Sequence, residues 1–288
     1  MAEAVGVTLP VEDGLPAAEY VALAQLAERS GYDAVLAGEV AGPEVFSLLG
    51  MIAARTTSIR IGSGIVGCYA RPPALTAMGF ATLASYAPGR VIAGLGASSP
   101  IIVEGWYGRP FGEPVATVRE FIAVLRQALS GARVSFAGQV LRSDGFRATM
   151  IPPSPVPVLL AAMNPAMLRL AGQAADGVFL TWTPPGEVAG RLARVRDGER
   201  AAVAGSGICP GAAGGGGGAA GRADPGRRAG RRRRSAGHDH RPRRGAGPAR
   251  AGPGSRALAT MIAPAQAGKL VLVEMDDVAL RISACEPP

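Results

Sequence analysis

The sequence predicts an α/β fold, a TIM-type (β/α)8 barrel that is incomplete, with six recognisable βα units between residues 1 and 203. Three observations predict it. Short apolar runs alternate six times with longer amphipathic stretches. The runs are apolar on both faces, as in a parallel sheet covered by helices. An open dinucleotide-binding sheet would carry G-x-G-x-x-G after its first strand, whereas this chain reads Gly6-Val-Thr-Leu-Pro10 there.

Residues 4–9 form the first expected strand. Tyr20, Leu23, Ala24 and Ala27 recur at i, i+3, i+4 and i+7, marking a helix over 17–30 that Gly31 stops. Residues 33–37 supply the second strand and 43–54 the second helix, with Pro43 at its first position. The third strand covers 59–66, and Pro73 opens the third helix. Residues 90–95 are the fourth strand; the fourth helix, about 114–130, carries Val118, Phe121, Ile122 and Leu125 on one face. Residues 133–156 read as a hairpin-bearing excursion, with Ala137-Gly138 and Asp144-Gly145 as turn signals. Strand and helix five follow at 157–161 and 165–175, strand and helix six at 177–181 and 184–202.

The pattern ends at residue 204. In residues 204–256 the only large apolar side chain is Ile208, and twelve arginines outnumber two acids, Asp224 and Asp239. That local charge of +10 leaves −2 for the rest of a chain whose total is +8. Such a basic, low-complexity segment buries too little to offset chain entropy, so disorder is expected. A GC-rich gene read in a shifted frame yields runs of this kind, and the seventh and eighth units are missing at this point. Residues 257–288 are a short C-terminal segment in which 269–274 form a strand candidate of open relation to the barrel.

Ligands of parallel barrels bind at the carboxyl ends of the strands. That rule selects Gly38 and Glu39, Ser63 to Tyr69, Gly94 to Ser99, Ala161 to Asn164, and Thr181 to Thr183. The two histidines, His238 and His240, lie in the basic segment, so a His-based triad, a His base or a zinc site is not expected in the barrel. Glycines, small residues and backbone amides dominate instead, a lining suited to a ligand that brings its own reactivity. Asn164 before Pro165 either helps a helix start hold a phosphate or simply caps that helix. Thr181 is a second donor or an ordinary strand residue. The glycines of residues 62–67 admit a flat ring against the backbone or mark a kinked strand. Residues 94–99 look weakly like a phosphate loop. Glu39 is the carboxylate at the end of strand two, a proton donor or a solvated rim group. Arg71 reaches an anionic ligand or rides the surface.

Together, residues 71–77 (RPPALTA), 81–96 (ATLASYAPGRVIAGLG), 30–34 (SGYDA), 58–64 (SIRIGSG) and 167–177 (MLRLAGQAADG) resemble the luciferase-like superfamily over residues 1–203. The likeness is to its deazaflavin-dependent branch, which includes the methylenetetrahydromethanopterin reductases. The resemblance implies an eight-stranded barrel, usually a homodimer. It implies an oxidoreductase passing hydride between an 8-hydroxy-5-deazaflavin coenzyme and a small organic substrate, or alternatively an FMN-dependent monooxygenase. It puts the ring against Ser63, Gly64 and Ile65, with a non-prolyl cis peptide at Gly64–Ile65, and beside Gly38, Gly96 and Ala97. It puts the coenzyme phosphate at Ala161, Ala162, Met163 and Asn164, near Thr181. Members of this branch often carry Asp-His after strand two; here Gly38-Glu39 stands there, making Glu39 the catalytic candidate by position. Nothing after residue 204 matches strands seven and eight, so an open barrel with bare edges, and a non-catalytic remnant, is the other expectation.

Other partners are bounded by composition. The arginines from Arg222 to Arg256 have no aromatic residue among them and suit at most non-specific nucleic-acid binding. No apolar run approaches the ~20 residues of a membrane span. Three scattered cysteines and no signal-peptide pattern point to the cytoplasm.

Overall fold

The computed structural model describes residues 4–206, 259–264 and 270–275. Each of the six expected units forms. The chain runs β1 (Ala4–Thr8), α1 (Ala17–Arg29), β2 (Ala34–Ala37), α2 (Val45–Ala53), β3 (Arg60–Ser63), β4 (Val66–Gly67) and α3 (Pro73–Tyr86). It continues through β5 (Val91–Gly96), α4 (Pro114–Leu129), β6 (Ser135–Ala137), β7 (Arg142–Asp144), β8 (Val158–Ala161), α5 (Pro165–Ala174), β9 (Gly177–Leu180) and α6 (Pro185–Ser206). Two further strands follow, β10 (Ala259–Pro264) and β11 (Leu270–Met275). The β6–β7 pair is the expected hairpin; its turn closes with Gly138 N–H donating to Leu141 O at 2.9 Å.

Around the barrel, β1 pairs with β2, β2 with β3, β3 with β5, β5 with β8 and β8 with β9, all parallel. The seventh and eighth βα units are missing, as the sequence implies. The edges this leaves are nonetheless covered, which corrects the expectation of bare strands: β11 pairs parallel with β9, and β10 joins β11 to β1. Five residues separate β10 from β11. A parallel crossover needs a dozen or more, so one of the two must run against its neighbours. That strand is β10, antiparallel to both β1 and β11. Apart from residues 204–206 at the end of α6, the expected disordered segment lies outside the described residues.

Alternation along each strand sorts side chains into two layers. Val35, Ala37, Val91, Ala93, Leu95, Val158, Leu160, Val178 and Leu180 face the helices and build the main core with them. Ala34, Leu36, Ile92, Leu159 and Phe179 face inward and fill the barrel. Burying a Leu, Ile or Phe side chain contributes roughly 1.5–3 kcal/mol, so both layers matter to stability.

Three local differences from the sequence reading have physical causes. The third strand is broken into β3 and β4 by a cis peptide at Gly64–Ile65, where the resemblance put one. Helix α2 starts after Glu44, not at Pro43: the Glu44 carboxylate accepts from Phe46 N–H at 3.2 Å and Ser47 N–H at 2.7 Å, as an N-cap does. After β5 the chain makes a π-helical segment, Ile101–Trp106, that no hydrophobic periodicity announces.

Candidate active site

The inward positions change character toward the carboxyl ends of the strands. Above Leu36, Ile92, Leu159 and Phe179, the next inward positions are Gly38 on β2, Gly94 and Gly96 on β5, Ala161 on β8 and Thr181 beyond β9, with Gly64 following Gly62 past β3. The mouth of the barrel is therefore walled by backbone. These residues lie close together. A methyl built on Gly38 would stand 3.1 Å from the Gly64 carbonyl oxygen, and one on Gly64 3.7 Å from the Phe179 ring. One on Gly96 would meet Ile65 at 2.9 Å and Ala161 at 3.4 Å. Gly64, Ile65, Ala97, Ala161 and Thr181 are partly exposed, so a ligand can reach them. Gly94 and Gly96 belong to strand β5 rather than to a phosphate loop, which corrects that reading.

Two of the expected ligand residues are otherwise engaged. The Ser63 hydroxyl is buried, donating to Gly94 O at 2.7 Å and accepting from Gly94 N–H at 3.0 Å. It braces β3 against β5 and is not free to touch a ligand. Asn164 caps α5, its side-chain oxygen accepting from Met167 N–H at 2.9 Å. Pro165 has no N–H, so Ala166 is the first-turn donor without an intrahelical acceptor. Ala162 is buried, its N–H bonded to Phe179 O at 3.1 Å, while Met163 and Asn164 are exposed. Ser98 and Trp182, each two residues beyond its strand, hold φ of 67° and 46°, a left-handed backbone that side-chain-bearing residues seldom adopt.

Beside this mouth is a cleft of about 270 Å³, lined by Glu39, Val40, Gly42, Pro43, Glu44, Ala70, Arg71 and Tyr107. Of the expected site residues, Glu39 alone lines it; Gly64, Gly96, Asn164 and Thr181 do not. The two regions are joined through Glu39, whose N–H donates to Ile65 O at 3.2 Å. The Glu39 side chain is only 10% exposed. Arg71 Nη2 donates to its Oε1, and Val45 N–H approaches the same oxygen at 3.5 Å. Its Oε2 is buried without a hydrogen-bond partner. Burial pushes the Glu39 carboxyl above its usual range, against the opposing pull of Arg71.

Arg71 neither reaches out to an anion nor rides the surface. Its Nη1 donates to Glu44 Oε1 at 3.0 Å, and its guanidinium lies 4.9 Å from the centre of the Phe46 ring. Burial pushes the Glu44 carboxyl up, but hydrogen bonds from Ser47, Arg71 and Phe46 outweigh it and hold it low. Sequence reasoning missed Glu44 and Tyr107; the carboxylate three residues before Ser47 was the available sign of a capping role. Cys68 is buried behind this wall, and burial pushes its thiol up, away from nucleophilic use.

The family model for luciferase-like monooxygenases matches residues 4–213. The chain is 32% identical over 178 residues to a 5,10-methylenetetrahydromethanopterin reductase of Methanolobus tindarius, covering 62% of this chain and 53% of that one. It is 34% identical over 177 residues to an F420-dependent glucose-6-phosphate dehydrogenase of Nocardia farcinica, covering 57% of this chain and 53% of the relative. The chain thus spans about half the length of the curated relatives it matches. Among solved structures, the coenzyme F420 dependent tetrahydromethanopterin reductase from Methanopyrus kandleri is similar with a TM-score of 0.65 at 24% identity, over 70% of this chain and 62% of that one. That likeness speaks to the fold.

Proposed function

Because the chain belongs to the luciferase-like monooxygenase family, we propose that it is an oxidoreductase that moves hydride between an 8-hydroxy-5-deazaflavin coenzyme and a small organic substrate. The observation that carries this reading is the backbone-walled mouth. Inward positions at the ends of neighbouring strands are Gly38, Gly64, Gly96 and Ala161, which leave a flat face where larger side chains would fill the space. When bound, the coenzyme supplies or accepts the hydride. Gly38, Gly64, Ile65, Gly96, Ala97 and Ala161 would hold its ring. Met163, Asn164 and the Ala166 N–H at the start of α5 would meet its phosphate, with Thr181 beside them. Glu39 would hold or take up a proton at Oε2, since its Oε1 is engaged by Arg71.

Titrating the full chain with the deazaflavin coenzyme and, separately, with FMN tests this by the change in coenzyme absorbance. The deazaflavin is expected to bind, and Gly64→Val or Gly96→Val to weaken it at least tenfold by filling the mouth. Binding of neither coenzyme overturns the reading. Binding of FMN alone redirects it to an oxygen-using monooxygenase.

The partner in this reading is a second copy of the chain. Helices α2 and α3 carry no charged residue in nine and fourteen positions, yet Met51, Leu75 and Met78 are exposed on them. An apolar outward face of that kind suits an interface. Sedimentation at micromolar concentration is expected to give a dimer, and Met78→Lys to shift it toward monomer.

A further inference from the structure

We propose that the cleft beside Glu39 selects a substrate presenting a hydrogen-bond donor, an alcohol hydroxyl or a protonated amine, and turns away carboxylates and phosphates. The inference rests on the oxidoreductase reading only in treating the cleft as the substrate's place. Its own basis is the chemistry of the lining.

Glu39 is nine-tenths buried and leaves Oε2 without a partner, while its other oxygen is engaged by Arg71. A buried acceptor without a donor is a standing vacancy for one. Arg71, the lining cation, is already committed: Glu39 and Glu44 take its two Nη groups, and Phe46 lies against its guanidinium. Two carboxylates around one guanidinium give the lining a net charge of −1, since Val40, Gly42, Pro43, Ala70 and Tyr107 add none. An incoming anion would meet that excess and find the arginine occupied. A donor would find an acceptor that nothing else satisfies. The remaining wall, Val40, Pro43 and Ala70 with the Tyr107 ring, suits an apolar body behind the donor.

The test uses three probes that share one six-membered ring and differ in a single group: cyclohexanol, cyclohexylamine and cyclohexanecarboxylate. Each is titrated calorimetrically into the full chain near pH 7. Cyclohexanol and cyclohexylamine are expected to bind at least tenfold more tightly than the carboxylate. In Glu39→Ala the guanidinium loses its nearer carboxylate, so the order is expected to invert in favour of the carboxylate, a change that mere loosening of the fold would not produce. The wild-type order tests the proposal even if that variant does not fold. A carboxylate that binds as well as the alcohol, or failure of both donor probes to bind, overturns it. The deazaflavin titration, run on the same samples, separates the two readings. Coenzyme binding with the wrong probe order sinks the cleft assignment alone. The right order without coenzyme binding sinks the oxidoreductase reading and leaves the cleft's selectivity standing.

Discussion

Gly94 has no room for a side chain: a methyl there would lie 1.9 Å from the Ser63 carbonyl oxygen, on backbone that cannot swing aside. Gly94→Ala is therefore expected to lower stability by about 2–4 kcal/mol, read from a denaturant melt. Glu28 acts at the opposite end of the barrel. Its Oε1 accepts from the N–H groups of Thr57, Ser58 and Ile59 and from the Ser58 hydroxyl, at 2.7–3.0 Å. Burial pushes the carboxyl up, but those four donors outweigh it and bring it down to about 2. A lowered carboxyl stabilises the fold above its unfolded value near 4.5 and loses that contribution as pH falls toward 2. Glu28→Gln is expected to lower stability by roughly 1–2 kcal/mol at pH 7, a gap that closes by pH 3. Thermal melts of both proteins across that range check it. At this scale the sequence was readable where chemistry is local. Glycines between 62 and 67 announced close backbone approach, and Asn164 before Pro165 announced a cap. The Ser63 bridge to Gly94 and the Arg71 bridge to Glu39 were not readable, because each joins residues about thirty positions apart that only the barrel brings together.

Elements were legible where period and punctuation agree. All six units lie within a few residues of the expected bounds, because apolar runs of four to six residues and helices opened by Pro73, Pro114 or Pro165 leave little freedom. The break between β3 and β4 and the π-helical turn at 101–106 carry no comparable periodic mark. Helices α5 and α6 meet through two glycines. A methyl on Gly172 would stand 1.9 Å from Val195 O, and one on Gly198 2.0 Å from Arg169 O. Gly198→Ala must push these backbones apart, and a loss of about 1–3 kcal/mol is expected in urea unfolding. Elsewhere, Glu120 on α4 pins the β6–β7 hairpin by accepting from the N–H groups of Gln139, Val140 and Leu141. An exposed excursion is thereby tied to the barrel, a link the turn signals alone did not reveal.

For the whole molecule, closure of the wall depends on β10 and β11. A chain ended after residue 206 leaves β1 and β9 without partners on one side, and bare strand edges invite association. Such a truncation is expected to melt at lower temperature and to form aggregates visible by light scattering; unchanged melting would contradict the role given to these strands. The sequence offered residues 269–274 as a strand without a location, since pairing partners far along the chain leave no local trace. Direction matters as much as pairing. Ala259 sits opposite Val7 and Ile262 opposite Ala4, so β10 begins level with the strand ends that carry Glu39 and the glycine-walled mouth. A peptide spliced immediately ahead of Ala259 would accordingly be delivered to the ligand-bearing end, and one spliced after Pro264 to the far end. The same pair of joints would let a reporter or a recognition loop be grafted at either pole by choice.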